Sequence, residues 1–495
     1  MAAKSLTARK SRRQSRNSYP SASRRLTDNV CIELEDHSSV KRSAVDFFQL
    51  RRLRDPHPQA AHLAEQFINQ NRPLMSYLDG RMEGNYDGKD VSLVIHAGSA
   101  VGAIPLFSPT TARPDYGIVV KPRFAWPGIG SMLGKMGWRV TPTPLRLPLL
   151  HRSERRVPLW VLSSMILARL KALLASMERR FEMANVTLGA PRGRVDWTRY
   201  ATKSLPKADL TSIPCSFADL RDDRLLKGTI RYTLERQLRA LETQTGNGAF
   251  VHSLLEFGQV LLRQVQDVQP YTPSRPAISS WTRRPMRTHH SIEGLQAIEW
   301  TMDERGLGGL SDLEGLPWTM PMEHFFEAWV ETVFATVARH TGGRMKVGRK
   351  RETVQPIRWD PPYLGSQKSL IPDVWLEWDS LTLIVDAKYK RHWEEMGRKR
   401  WSTAEEQFRE EHRNDLLQVL AYANLARTTR VVVCLAYPCS PETWLSLKSA
   451  GRLFHKANLP SGSRSLSLWL TAVPMAAEIE SVADLLCHEV RSSLR

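Results

Sequence analysis

The chain has 495 residues, 42% hydrophobic and 24% charged, more than one ordinary core accommodates, so about two to four domains are expected. Lys and Arg number 70 against 51 Asp and Glu, a formal charge of +19, which makes a polyanion the expected partner: nucleic acid first, an anionic membrane surface second. Five scattered cysteines (Cys31, Cys215, Cys434, Cys439 and Cys487) form no CxxC pair, which argues against a disulfide framework and a structural zinc site and for a reducing cytoplasm. No apolar run approaches a membrane span, and the N-terminus lacks the apolar segment of a secretory signal.

Residues 1–42 are polar and Ser-rich, with Lys4, Arg9, Lys10, Arg12, Arg13 and Arg16 near the start. They read as a basic disordered arm able to touch phosphate, although a transit or nuclear address has a similar composition. A helical stretch is expected around Pro58–Asn69. Val91–Ile95 and Tyr116–Lys121 read as short strands between Gly, Pro and Thr clusters. Across Pro158–Glu182 the period changes: Leu159, Leu162, Ile166, Leu170, Leu173 and Met177 recur every three or four residues, an amphipathic helix whose other face carries Arg169, Lys171, Arg179 and Arg180 to solvent. Pro191–Trp197 reads as a Gly turn leading into a strand, and 224–268 as helical with a break at Thr245–Gly248. Pro270, Pro273, Pro276 and Pro285 mark a linker over 271–292. This divides the chain into an arm (1–42), an N-terminal α+β domain (43–270), the linker and a C-terminal domain (293–495). The last should contain a helix at Pro321–His340, β-rich segments to about Val385, a charged interval at 391–413 and a helix at Asn414–Ala426. Strands at Val431–Tyr437 and Leu466–Val473 and a terminal helix follow. That order suggests an α/β layer arrangement around a central sheet.

Chemistry concentrates in Leu370–Lys390. Two β-rich runs flank Asp379-Ser380, so a tight hairpin places Trp378 opposite Leu381 and, counting outward, Asp373 opposite Asp386. Opposed residues share a face with Cβ atoms about 4.5–5.5 Å apart, and alternation puts Lys388 on the same face. Two carboxylates that close repel unless a cation lies between them, and hard oxygen ligands suit Mg²⁺ or Mn²⁺. Such an ion would hold a scissile phosphate, with Lys388 orienting water or neutralising developing charge. A bare Asp-x-Lys is commonly an exposed ion pair worth little. Here the preceding Pro-Asp, the hairpin register and the apolar strand ending in an acid favour a site.

Pro372-Asp373 followed by Asp386-Ala-Lys388 resembles the signature of PD-(D/E)xK nucleases. Asp415-Leu-Leu-Gln-Val-Leu-Ala-Tyr422 resembles the QxxxY helix of their RecB-like branch; Asp415, Gln418 and Tyr422 fall on one helix face. Met322–Trp329 resembles the upstream helix whose acid faces the metal, with Glu327 the better candidate and Glu323 and Glu331 a turn away. Ile118–Pro122, the helix from Pro158, Arg192–Arg199 and Cys215–Leu241 extend the resemblance over roughly residues 80–490, to McrC-type nuclease subunits of modification-dependent restriction systems, which act on 5-methylcytosine DNA. The resemblance implies a restriction-endonuclease-like core with a mixed sheet flanked by helices. It also implies metal ligation by Asp373, Asp386, the Ala387 carbonyl and Glu327, with Lys388, Gln418 and Tyr422 completing the site. The partners it implies are double-stranded DNA and a ring-forming AAA+ (McrB-like) GTPase or ATPase that recognises and translocates the DNA, with no membrane. Arg192, Arg194 and Arg199 become candidates for partner or phosphate contact. The chain itself has no Gly-x-x-x-x-Gly-Lys-Ser/Thr loop, so nucleotide hydrolysis would fall to that partner.

Two other readings remain open. One is a different member of the superfamily, a RecB-like exonuclease or a transposon-encoded nuclease, which would need no ring-binding domain. The other is an adaptor that binds nucleic acid and activates an AAA+ partner without cutting; such a core would be expected to lack Asp386 or Lys388.

Overall fold

The strand Leu381–Ala387 is buried at all seven positions, as expected for a central strand covered on both faces. In the computed structural model it lies within a mixed six-stranded sheet. The order is Arg344–Val347, Val374–Glu377, Leu381–Ala387, Arg430–Cys439, Arg464–Pro474 and Phe454–Ser461. Leu381–Ala387, Arg430–Cys439 and Arg464–Pro474 run parallel, and the other pairings are antiparallel. The structure describes residues 31–494 except 88–89, 125, 146, 149–158, 178–179, 222, 246–248, 284–288, 303–316, 394–405, 462–463 and 477.

Helix Met322–Thr341 buries Phe325, Phe326, Trp329, Val330, Val333, Phe334 and Val337 at helical spacing and packs against Leu381–Ala387 and the C-terminal helix Ile479–Leu494. It stops at Gly342, whose φ of 72° is the left-handed conformation a helix C-terminus favours in glycine. The buried Trp329 indole N–H donates to Pro474 O at 3.1 Å. Helix Glu406–Ala423 provides the crossover between Leu381–Ala387 and Arg430–Cys439 and packs against both. It starts eight residues before the expected Asn414: the charged stretch Glu406–Arg413 forms its first turns, with Glu406, Glu410 and Arg413 exposed and His412 buried.

The N-terminal half carries a five-stranded sheet in the order Cys31–Glu35, Tyr116–Lys121, Ala100–Leu106, Trp318–Pro321, Thr143–Pro144. Two three-stranded sheets accompany it. One orders Ser39–Ser43, Asp90–His96, Arg81–Asp87; the other orders Arg180–Leu188, Ile213–Arg221, Arg194–Val195. The helices His57–Met75, Leu159–Ala175, Arg224–Glu242 and Ala249–Arg263 overlap the helical stretches expected at Pro58–Asn69, Pro158–Glu182 and 224–268.

The structure corrects several expectations. The basic arm does not extend to residue 42: residues 1–30 lie outside the described residues, while Cys31–Glu35 and Ser39–Ser43 are strands. Cys31-Ile-Glu-Leu-Glu35 alternates, burying Ile32 and Leu34 beside the parallel Tyr116–Lys121 strand. The segment 271–292 is not an unstructured linker. Helix Arg275–Thr282 starts with Ser274 capping Ala277 N and Pro276 in its first turn, buries Ile278 and Trp281, and ties the Trp281 indole to Asp223 Oδ2 at 3.1 Å. Helix His289–Met302 packs on Leu159–Ala175, and Trp318–Pro321 pairs with Ala100–Leu106, so residues beyond 293 complete the N-terminal half. The helix expected over Pro158–Glu182 ends at Ala175, and Arg180–Leu188 is a strand. On that helix Arg169 is not solvated. It bonds Gln296 and Glu293 and sits 4.6 Å over the Trp300 ring, holding the two helices together.

Candidate active site

Register decides where the acidic residues fall. Val374 faces Val385 and Glu377 faces Thr382, while Trp378 N–H donates to Leu381 O at 2.9 Å. This is the two-residue hairpin counted from the sequence, so Asp373, one residue beyond its strand, faces Asp386. The pairing is sealed from the side, since the Ala387 N–H donates to Asp373 Oδ2 at 2.7 Å. Asp386 occupies the carboxyl end of a parallel strand, the edge where open α/β sheets place ligands.

Three acids meet at low exposure. Asp386 is 2% exposed; burial pushes its pKa up, and Asp415 adds to the push while Lys388 opposes it. Asp373 stands well above the ordinary carboxylate range through burial, then through repulsion from Asp386 and Glu327. Glu327 is raised mainly by burial, with Glu323 and Asp386 contributing and His324 opposing. Lys388 Nζ lies 2.7 Å from Asp386 Oδ2, but at an angle that leaves that buried oxygen without a hydrogen bond. Burial works against the ammonium, yet Asp386, Asp415 and Asp373 outweigh it and raise its pKa. These carboxylates favour the ammonium form of Lys388.

Lys388 also donates to Gln418 Oε1 at 2.9 Å, and Gln418 Nε2 donates to the Tyr422 hydroxyl at 2.8 Å. The side chains of the motif and of the helix Glu406–Ala423 therefore form one chain, Asp386–Lys388–Gln418–Tyr422. Asp415 takes a separate part. It accepts from Lys390 Nζ at 2.9 and 3.0 Å and from the Tyr437 hydroxyl at 3.1 Å, which also lies 3.1 Å from His412 Nδ1. Sequence reasoning missed Lys390 and Tyr437, although the alternation Asp386, Lys388, Lys390 carried a signal for the lysine. Glu331 is engaged elsewhere, 2.9 Å from Arg349 and 3.7 Å from Arg139.

The donor set fits a hard divalent cation. The Lys388 ammonium offsets one of the repelling carboxylates, Glu327, Asp373 and Asp386; oxygen-ligated Mg²⁺ or Mn²⁺ would offset the remaining charge. The fit is open: Glu327, Asp373 and Asp386 do not close as a trio to within 4.8 Å. Among the described residues the cluster that does is His289, His290 and Glu293, on the helix His289–Met302. Of the basic loop residues, Arg192 lies 4.1 Å over the Phe217 ring and 3.8 Å from Asp219. Gly193, with φ 66°, makes the turn before Arg194, and Arg199 lies in the short turn capped by Asp196. No helix among the described residues is long and apolar enough to cross a membrane.

Residues 146–438 match the family model described as "McrBC 5-methylcytosine restriction system component". Among solved structures, a half-complex from the tetradecameric assembly of Thermococcus gammatolerans McrB AAA+ hexamers with bound McrC is 14% identical, covering 93% of this chain and 99% of that one at a TM-score of 0.38. The cryo-EM structure of the Thermococcus gammatolerans McrBC complex is 13% identical, covering 62% and 88% at a TM-score of 0.24. No curated protein matches the chain. With more than half its length matched, the chain belongs to the family of McrBC 5-methylcytosine restriction system components.

Proposed function

We propose that the chain is the nuclease subunit of an McrBC-type restriction system, an Mg²⁺-dependent endonuclease that cuts double-stranded DNA when coupled to an AAA+ nucleotidase ring. The observation that carries this is the hairpin register bringing Asp373, Asp386 and Lys388 onto one face at a sheet's carboxyl edge. Family membership supports the biological setting. The absence of a phosphate-binding loop in the sequence leaves nucleotide hydrolysis to a partner.

Asp373 and Asp386 would hold the ion, with the Ala387 carbonyl and Glu327 as further ligands. Bound there, Mg²⁺ would neutralise charge on the scissile phosphate and favour ionisation of the attacking water. Lys388, protonated, orients that water and offsets charge developing on the phosphorus oxygens. Gln418 keeps the ammonium from collapsing wholly onto Asp386, and Tyr422 fixes Gln418. In the hydrolysis the water oxygen bonds to phosphorus and the bridging oxygen leaves with a proton.

The test is cleavage of a 5-methylcytosine-containing plasmid by the full chain with ring, nucleotide and Mg²⁺. Asp386→Asn and Lys388→Ala should each cut at least about a hundredfold more slowly, the scale of losing a charge-stabilising group. Undiminished cutting by either would sink the assignment.

A further inference from the structure

The chain immediately past Lys388 is gripped by residues from the other end of the sequence. Asp36, directly after the strand Cys31–Glu35, is fully buried. Its Oδ2 accepts from the Tyr389 hydroxyl at 2.7 Å and its Oδ1 from the Arg123 N–H at 2.6 Å. The Arg123 guanidinium, its side chain 5% exposed, stands 3.8 Å from the same carboxylate, lies 4.8 Å over the Tyr389 ring and donates to Lys390 O at 3.2 Å. Arg391 donates to Asp36 O at 3.3 Å. On the remaining side the Tyr389 ring meets Phe124 and Phe326, each at 6.1 Å, and Phe326 precedes Glu327. Residues 389, 390 and 391 are thus each held by the N-terminal sheet or its loops.

We propose that Asp36 is a positioning residue for Lys388. Its buried carboxylate, with Arg123, clamps the segment 389–391, so that the N-terminal sheet sets where the ammonium stands over the acidic pair. This rests on the nuclease reading above. Core packing alone has no need of such a group: a buried carboxylate is costly to desolvate, and apolar side chains of similar volume would fill the space as stably. What the charged cluster adds is direction, because three of its hydrogen bonds, to the Tyr389 hydroxyl, Lys390 O and the Arg391 guanidinium, fix atoms of the segment that follows the lysine. Tyr389 reaches Asp36 while the neighbouring Lys388 reaches Asp386 and Gln418, so pinning the first constrains the second. Asp373 and Asp386 lie before the clamp, in sheet pairing and the Ala387 hydrogen bond, and do not depend on it.

The experiment separates these dependences in the full chain. Asp36→Asn keeps the side-chain shape and removes the charge; Tyr389→Phe removes only the hydroxyl. Each should lower plasmid-cleavage turnover about ten- to a hundredfold, the effect of a misplacement near 1 Å. The plasmid KM, the Mn²⁺ dissociation constant read by electron paramagnetic resonance without turnover, and the nucleotide hydrolysis of the ring should each stay within about twofold. The double variant should be no slower than the worse single one, since both cut the same tie. Native turnover in both single variants would overturn the proposal. So would parallel loss of Mn²⁺ binding and cooperative melting, which marks a general role in folding. Asp386→Asn, run alongside, tells the two readings apart. If it cuts normally, the active site falls and the clamp with it; if it is dead while Asp36→Asn cuts normally, the clamp alone falls.

Discussion

At the scale of single residues, Glu327, Asp373 and Asp386 share one electrostatic problem. Burial and mutual repulsion raise their carboxyl pKa values. A carboxyl whose folded-state pKa stands above its unfolded value stabilises the fold while protonated; that contribution is complete below the unfolded pKa and is lost as pH rises through the folded one. Without divalent ions, this site should therefore cost progressively more stability as pH rises through the raised carboxyl pKa values. If Mg²⁺ is the ligand proposed above, it would bind the ionised set and should raise the melting temperature by about 5 °C at pH 8 at a hundredfold excess over its dissociation constant. The rise should be much smaller at pH 5 and should vanish in Asp386→Asn. Differential scanning fluorimetry at the two pH values checks it; equal gains at both would remove the carboxylates from metal binding. The same residue scale explains what the sequence could show. Asp373, Asp386 and Lys388 were legible because a two-residue hairpin leaves one register, and counting does the rest. Asp36 was not legible, since nothing local to it announces a contact with Tyr389.

At the scale of elements, the hairpin's outer strand depends on the turn before it. Gly348 N–H donates to Asp373 O at 2.8 Å, and Thr353 Oγ1 donates to Pro372 O at 2.6 Å. A Cβ on Gly348 would stand 2.5 Å from Pro372 O, a backbone atom that cannot swing aside. Gly348→Ala should therefore shift Pro372-Asp373 and lower cleavage at least about tenfold, since active-site displacements of this kind are costly, while circular dichroism stays native. Cleavage at the native rate would show that the turn does not hold Asp373. Helix Arg275–Thr282 makes the complementary point. Its prolines suggested a linker, yet Pro276 lies in the first turn, where proline is tolerated, and Trp281 is buried against the preceding helical region. Trp281→Ala should cost about 3–5 kcal/mol in urea unfolding, as large aromatic truncations in cores do; a loss under about 1 kcal/mol would make the helix peripheral. Apolar spacing located long helices such as Leu159–Ala175 and Met322–Thr341, but missed Trp126–Lys135, Arg275–Thr282 and His289–Met302 and the strands hidden in basic sequence.

At the scale of the whole molecule, segments 353 residues apart in sequence are neighbours in space. Cys31–Glu35 closes the N-terminal sheet, and the next residue holds the segment after Lys388, so the domains drawn from composition are not independent bodies at the active site. Residues 1–30 carry eight Lys and Arg and precede that strand in sequence; the residue after it, Asp36, contacts the segment after Lys388. If DNA crosses the core, these cations contribute to its binding by releasing counterions, each phosphate contact adding about 0.9 to the slope of log affinity against log salt. The full chain should show a slope steeper than about −5 on a 30-base-pair duplex. Deleting residues 1–30 should flatten it by about 2 to 4 units and leave turnover at saturating DNA within about twofold, because the arm adds affinity and no catalytic group. Fluorescence anisotropy across a salt series reads the slope. An unchanged slope would assign the positive surplus that binds DNA to the folded region alone, and a collapse of turnover would place the arm inside the catalytic machinery.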